Sequence, residues 1–119
     1  MKYYRKIDGI IPGMKNNKML VKIHGRVIPI TKPETQKRME EIIQSLFCGG
    51  EFRNPVSVTI NIHLKSEARR DLDNMCSTIM DCLVKAGVIQ DDSIKFVKHI
   101  GISYFESDID YAEIIVNDD

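Results

Sequence analysis

From Val56 to Lys65 every second residue is apolar: Val56, Val58, Ile60, Ile62 and Leu64 alternate with Ser57, Thr59, Asn61, His63 and Lys65. A strict period of two fits a strand with one face buried and the other wet. Seven residues on, the period changes. Leu72, Met75, Cys76, Ile79, Met80, Leu83 and Val84 fall at helical spacing, which is the stripe of an amphipathic helix. A one-faced strand that leads into a one-striped helix requires a layered domain in which the helix covers the strand.

The flanking sequence fills in the layers. Ile10 to Lys18 reads as a loop, punctuated by Pro12-Gly13 and Asn16-Asn17. Met19 to Ile23 and Arg26 to Ile30 read as two strands joined by a His24-Gly25 turn, because both residues tolerate positive φ. Thr31 with Glu34 forms an expected capping box, and Pro33 suits the first turn of a helix. That helix carries Met39, Ile42, Ile43, Leu46 and Phe47 and stops at Cys48-Gly49-Gly50. The second helix stops at Lys85-Ala86-Gly87. Two late strands are expected over about Ile94 to Phe105 and Ile109 to Val116. The resulting order, ββαβαββ, predicts an α+β fold: a single mixed β-sheet with two main α-helices, in one domain spanning 1–119.

No apolar run approaches the roughly 18 residues of a membrane span, and the N-terminus lacks a signal peptide's apolar stretch. We therefore expect a cytoplasmic protein without membrane partners. The three cysteines, Cys48, Cys76 and Cys82, are odd in number and form no Cys-x-x-Cys pair, which argues against a zinc site or a disulfide framework and for buried free thiols. His24, His63 and His99 lack metal-ligand spacing and read as structural; Met14, Met19, Met39, Met75 and Met80 read as core. The net charge is zero, but it is unevenly spread. Residues 1–38 hold ten Lys/Arg against two acids; residues 39–119 hold seven against fifteen. Such a split suits a basic arm that meets phosphate and an acidic body that holds metal. A charged surface with no such role has the same composition.

Between the strand and the second helix lies Arg69-Arg70-Asp71-Leu72-Asp73-Asn74, and Asp91-Asp92 follows the helix. Asp71 and Asp73 can project the same way while Leu72 anchors the segment in the core. Free N–H groups at a helix start favour an anion such as phosphate. Carboxylates suit Mg²⁺, which takes hard oxygen ligands, and arginines suit phosphate. The same residues also suit a helix cap with surface ion pairs. Asp91 and Asp92 lie beyond a helix of about 13 residues, or about 20 Å. They join the cluster only if the chain after Gly87 returns, as an antiparallel neighbour strand starting near Asp92 would allow.

The string Arg69-Arg70-Asp71-Leu72-Asp73-Asn74, then Asp81-x-Leu83-x-Lys85-Ala86-Gly87, then Asp91-Asp92, resembles the RusA family of Holliday junction resolvases. The clear match covers about residues 67 to 98, with weaker likeness at Asn16-Asn17 and the helix from Thr31. The resemblance implies a Mg²⁺-dependent homodimer, with Mn²⁺ a possible substitute, that cuts four-way branched DNA by paired nicks in recombination and repair. Family members are often carried by prophages. It implies that Asp71, Asp73 and Asp92 are the catalytic, metal-binding aspartates, supported by Asp91 and Asn74. Phosphate contacts are expected from Lys15, Lys18, Arg69 and Arg70.

One position departs from the family pattern. A lysine that a family member can carry in the first turn of this helix corresponds to Ser77. A second expectation is therefore a branched-DNA-binding protein with weakened catalysis, and a third is a structural or regulatory protein.

Overall fold

The structure, a computed structural model, describes residues 1–13, 18–65 and 71–119. The expected Asn16-Asn17 loop, together with Met14, Lys15, Arg69 and Arg70, lies outside these residues. The described chain forms β1 (Lys2–Asp8), β2 (Lys18–Ile23), β3 (Arg26–Thr31), α1 (Pro33–Leu46), β4 (Val56–Leu64), α2 (Leu72–Lys85), β5 (Val97–Glu106) and β6 (Tyr111–Asn117). Two helices and a mixed sheet make it α+β, as the sequence predicts.

Strand β4 is the spine of the fold. Its even-numbered residues are all buried. The sheet order is β1-β6-β4-β5, with β4 antiparallel to β6 and parallel to β5. Val58, Ile60 and Ile62 line up with Val116, Ile114 and Ala112 on β6, so one face of the sheet is continuously apolar. Met39, Ile42 and Leu46 of α1 and Met75, Ile79 and Leu83 of α2 close over that face. The helix α1 contacts β1, and α2 contacts β5.

Two features extend the expected order. Lys2–Asp8 is a strand, bonded to β6 along its whole length. The basic N-terminal segment is thus built into a sheet edge: Arg5 stacks on the Tyr3 ring at 4.7 Å and Lys6 lies over Tyr111 at 4.7 Å. The β2–β3 hairpin forms its own two-stranded ribbon. Its turn is as expected, with His24 at φ 50° and Gly25 at φ 78°, the left-handed pair that a tight hairpin turn requires.

Local signals hold at one helix end and fail at another. The end of α2 is well sealed. Gly87 (φ 75°) donates to Val84 O at 3.1 Å, and Val88 donates to Leu83 O at 3.0 Å, the paired bonds of a Schellman cap. The Thr31–Glu34 capping box does not form. Lys32 is the N-cap without a side-chain bond, and Thr31 stays in β3, where its Oγ1 accepts a bond from Lys18 Nζ at 2.9 Å. Pairing with β2 outcompetes the cap.

Burial also corrects the expectations for Cys48, Cys76 and Met19. Only Cys82 is buried; Cys76 is half-buried and Cys48 exposed. Burial pushes the Cys82 thiol up to about 11 and raises that of Cys76. Met19 is exposed on the ribbon, whereas Met39, Met75 and Met80 are core. His63 is structural: it stacks between Phe105 and Tyr111, and its Nε2 meets Glu113 Oε1 at 2.7 Å. The Tyr4 hydroxyl donates to Glu113 Oε2 at 2.9 Å, and these two bonds hold the Glu113 carboxyl below its ordinary range.

Candidate functional site

The unit β4–α2–β5 is a parallel crossover. In such a unit the helix starts at the carboxyl end of the first strand and finishes near the amino end of the second. Asp71 and Asp73 therefore stand at the carboxyl ends of β4 and β5, where open sheets containing parallel strands bind ligands. Asp71 is the N-cap of α2 by position, with extended φ and ψ of −87° and 122°. Its side chain makes no capping bond, while its carbonyl accepts from Met75 N at 3.1 Å. Both aspartates are exposed, and Leu72 between them packs on the core, as the alternation predicts. Their Cα atoms are no more than about 7 Å apart.

The second turn of α2 fixes this corner to the rest of the chain. Thr78 is fully buried, and its hydroxyl donates to Pro12 O at 2.7 Å, with Asn74 O at 3.1 Å as the other acceptor. Asn74 is also buried. A Cβ placed on Gly13 would sit 2.9 Å from Asn74 Cγ and closer still to its amide nitrogen. The Pro12-Gly13 backbone thus lies directly on the helix, and it needs glycine to do so. A shallow cleft beside it is lined by Pro12, Gly13, Thr35 and Arg38. The Arg38 guanidinium is occupied by the carbonyls of Asp8 and Ile10.

Thr78 and Gly13 were not among the expected site residues. A hydroxyl set beside an apolar stripe was the signal for Thr78, because a buried hydroxyl needs a partner. We expect Gly13→Ala to cost about 1–3 kcal/mol by overpacking and to shift the start of α2. Urea denaturation should register the loss. A variant as stable as the parent would show that this contact does not fix the loop.

Asp91 and Asp92 do not meet Asp71 and Asp73 within one chain. The expected return through an antiparallel neighbour is replaced by parallel pairing of β5 with β4, which leaves the two acidic pairs at opposite ends of α2, about 20 Å apart. Asp91 and Asp92 are exposed ahead of the turn Ser93–Phe96, where Ser93 O accepts from both Phe96 N and Val97 N at 2.9 Å. Among the described residues, no group of three or more His, Cys, Asp or Glu side chains is placed to hold a metal.

What remains at the start of α2 is still a fitting corner for a hard cation. Two adjacent carboxylates, one of them unused in capping, match the one or two that Mg²⁺ typically takes from a protein. Lys18 is exposed at the root of the ribbon, tied to Thr31. Ser77, at the lysine position of the family pattern, is exposed and donates to Asp73 O at 3.1 Å, so it brings no cation.

Comparison with known proteins agrees with the motif. A family model described as endodeoxyribonuclease RusA matches residues 10–117. The crossover junction endodeoxyribonuclease RusA of Aquifex aeolicus (strain VF5) is 30% identical over 92 residues, which is 75% of this chain and 71% of that protein.

Proposed function

The chain belongs to the RusA family of endodeoxyribonucleases, and on that premise we propose that it hydrolyses phosphodiester bonds in four-way branched DNA, as a Mg²⁺-dependent homodimer that makes paired nicks. The observation that carries this reading is the pair Asp71 and Asp73, exposed at the carboxyl ends of the parallel strands at the start of α2.

In this reading Asp71 and Asp73 bind the metal, and Asp92 completes the set. When bound, Mg²⁺ polarises the phosphoryl oxygen, acidifies a water and stabilises the leaving oxygen. The positive end of the α2 dipole favours the scissile phosphate. Lys18, with Lys15, Arg69 and Arg70, meets the flanking phosphates, so binding weakens steeply with salt. Phosphate contacts select the shape of the junction rather than its sequence. Two chains related by a two-fold axis present two equivalent sites to a junction of the same approximate symmetry.

Because Asp92 lies about a helix length from Asp71 in its own chain, the set closes between subunits: Asp71 and Asp73 from one chain, Asp92 from the other, with Asp91 in support. Subunit mixing tests this. Asp71→Asn and Asp92→Asn homodimers are each expected to be inactive. A mixed dimer carries both changes in one site and leaves the other site intact, so mixing restores single-strand nicking. No recovery, with mixed dimers demonstrated by differential tagging, sinks the shared site.

The exposed Ser77 hydroxyl, turned onto its own helix, favours a second reading, a junction-binding protein with weakened catalysis. Labelled junction incubated with Mg²⁺ or Mn²⁺ separates the two: binding without nicks supports the second.

A further inference from the structure

The sheet face turned away from the helices carries a column of stacked rings. His63 lies between Phe105 and Tyr111, with ring centroids 5.0 Å and 4.2 Å away and planes within 19° and 5° of its own. Cross-strand register sets this up, because His63 of β4 is opposite both Phe105 of β5 and Tyr111 of β6. One end of the column is closed: Lys6 Nζ sits 4.7 Å from the centre of the Tyr111 ring, a cation on a π face. The other end is Phe105. Strand β5 is the sheet edge, with no strand beyond it among the described residues, and Phe105 is 46% exposed. One face of its ring is taken by His63; the other looks out over the edge.

The column is pinned and well placed. Glu113 meets His63 Nε2 and accepts from the Tyr4 hydroxyl, so the ring behind Phe105 keeps its orientation. A surface ordered in advance loses little freedom when it is covered. His63 and Phe105 are the penultimate residues of β4 and β5. The column thus stands at the carboxyl ends of the parallel strands, the end of the sheet where Asp71 and Asp73 lie. Just past the two rings in sequence, Lys65, Glu106, Ser107 and Asp108 line an open cleft of about 510 Å³. A free π face, a lysine for phosphate and carboxylates that accept from an amino group are together what one unstacked nucleotide needs.

We propose that Phe105 and this cleft form a subsite for one unpaired nucleobase of the branched DNA. The base stacks on the outer face of Phe105 as the next layer of the column, and its amino edge meets the carboxylates of the cleft. A paired base keeps both faces inside its own duplex, so the subsite takes only a base already out of the stack. Junctions that are open at their centre are therefore favoured over fully paired ones. The inference rests on the branched-DNA reading above and adds a contact to a base where that reading supplies contacts to phosphate.

The test uses the full chain without divalent metal, so that no strand is cut, and two four-way junctions: one fully paired, the other with a single unpaired 5-iodouracil at its centre. Wild-type protein is expected to bind the second about tenfold more tightly, and irradiation to cross-link the iodouracil to Phe105, mapped by mass spectrometry. Phe105→Leu, which keeps an apolar side chain without a π face, is expected to lose the cross-link and the preference. Phe105→Trp keeps the preference to within about twofold, and Tyr104→Leu, on the opposite face of the same strand, changes neither readout. Equal affinity of the wild type for the two junctions, or a cross-link that maps away from Phe105, overturns the subsite. So does a Phe105→Leu variant that loses affinity for both junctions equally and changes its oligomeric state in sedimentation, because the ring then covers a second copy of this chain. Cleavage of the fully paired junction with Mg²⁺ keeps the two readings apart: cutting without any preference for the unpaired base leaves the nuclease standing and removes the subsite, and a preference without cutting does the reverse.

Discussion

Asp71→Asn is expected to abolish junction cleavage, with a loss of about a thousandfold or more, while leaving the fold intact. The size follows from the role. A carboxylate that holds the metal contributes to the several kcal/mol by which such an ion stabilises a phosphoryl-transfer transition state, and each 1.4 kcal/mol is about tenfold in rate. Asparagine keeps the shape and removes the charge. The retained fold follows from local structure. Asp71 occupies the N-cap of α2 without using its side chain for the cap, and asparagine is as good a residue there as aspartate. Its exposure means that no core contact is lost. Asp73→Asn should behave alike in activity, with a small added cost of about 0.3–1 kcal/mol because an acid in the first turn offsets the helix dipole. Cleavage of labelled junction, measured beside thermal melting, checks both. Full activity in both variants would remove the basis for these roles.

Ile60→Ala is expected to have the largest effect on stability, about 4 kcal/mol. Ile60 is fully buried in the central strand, in register with Ile114 on one side and Ile102 on the other. Truncation deletes buried methyl groups and leaves a void beneath two helices that cannot collapse into it, the condition under which such changes cost the most. For a domain of about this size the melting temperature should fall on the order of 15 °C. The neighbour Thr59 points to the open face and is exposed, so Thr59→Ala should change stability by no more than about 0.5 kcal/mol. Denaturant titrations of the pair measure the contrast. A loss below about 1 kcal/mol at Ile60 would mean that β4 is not the spine of the core.

Much of the molecule was legible because its signals are local. The alternation of 56–64 and the stripe of 72–84 follow from where successive side chains point on a strand and on a helix. The His24-Gly25 turn and the Gly87 cap follow from the freedom of those residues at positive φ. The elements missed were those whose signal is faint at the edges. Strand β1 offers only Tyr3 and Ile7 to the core among four charged residues, so its composition resembles a basic arm. Thr31 suits both a cap and a strand, and the strand partner decided between them.

What the sequence by itself determined is the layered α+β class, the strand and helix on either side of the acidic motif, and the chemistry that two adjacent aspartates at a helix start can support. Only the tertiary structure decided where the second acidic pair lies. A run of apolar residues has the same period whichever way its neighbour runs, so nothing local distinguishes a β5 parallel to β4 from one antiparallel to it. That choice depends on α2 crossing back over the sheet, a contact between residues far apart in sequence. It sets Asp92 at the opposite end of the helix from Asp71 and leaves β5 as an open edge.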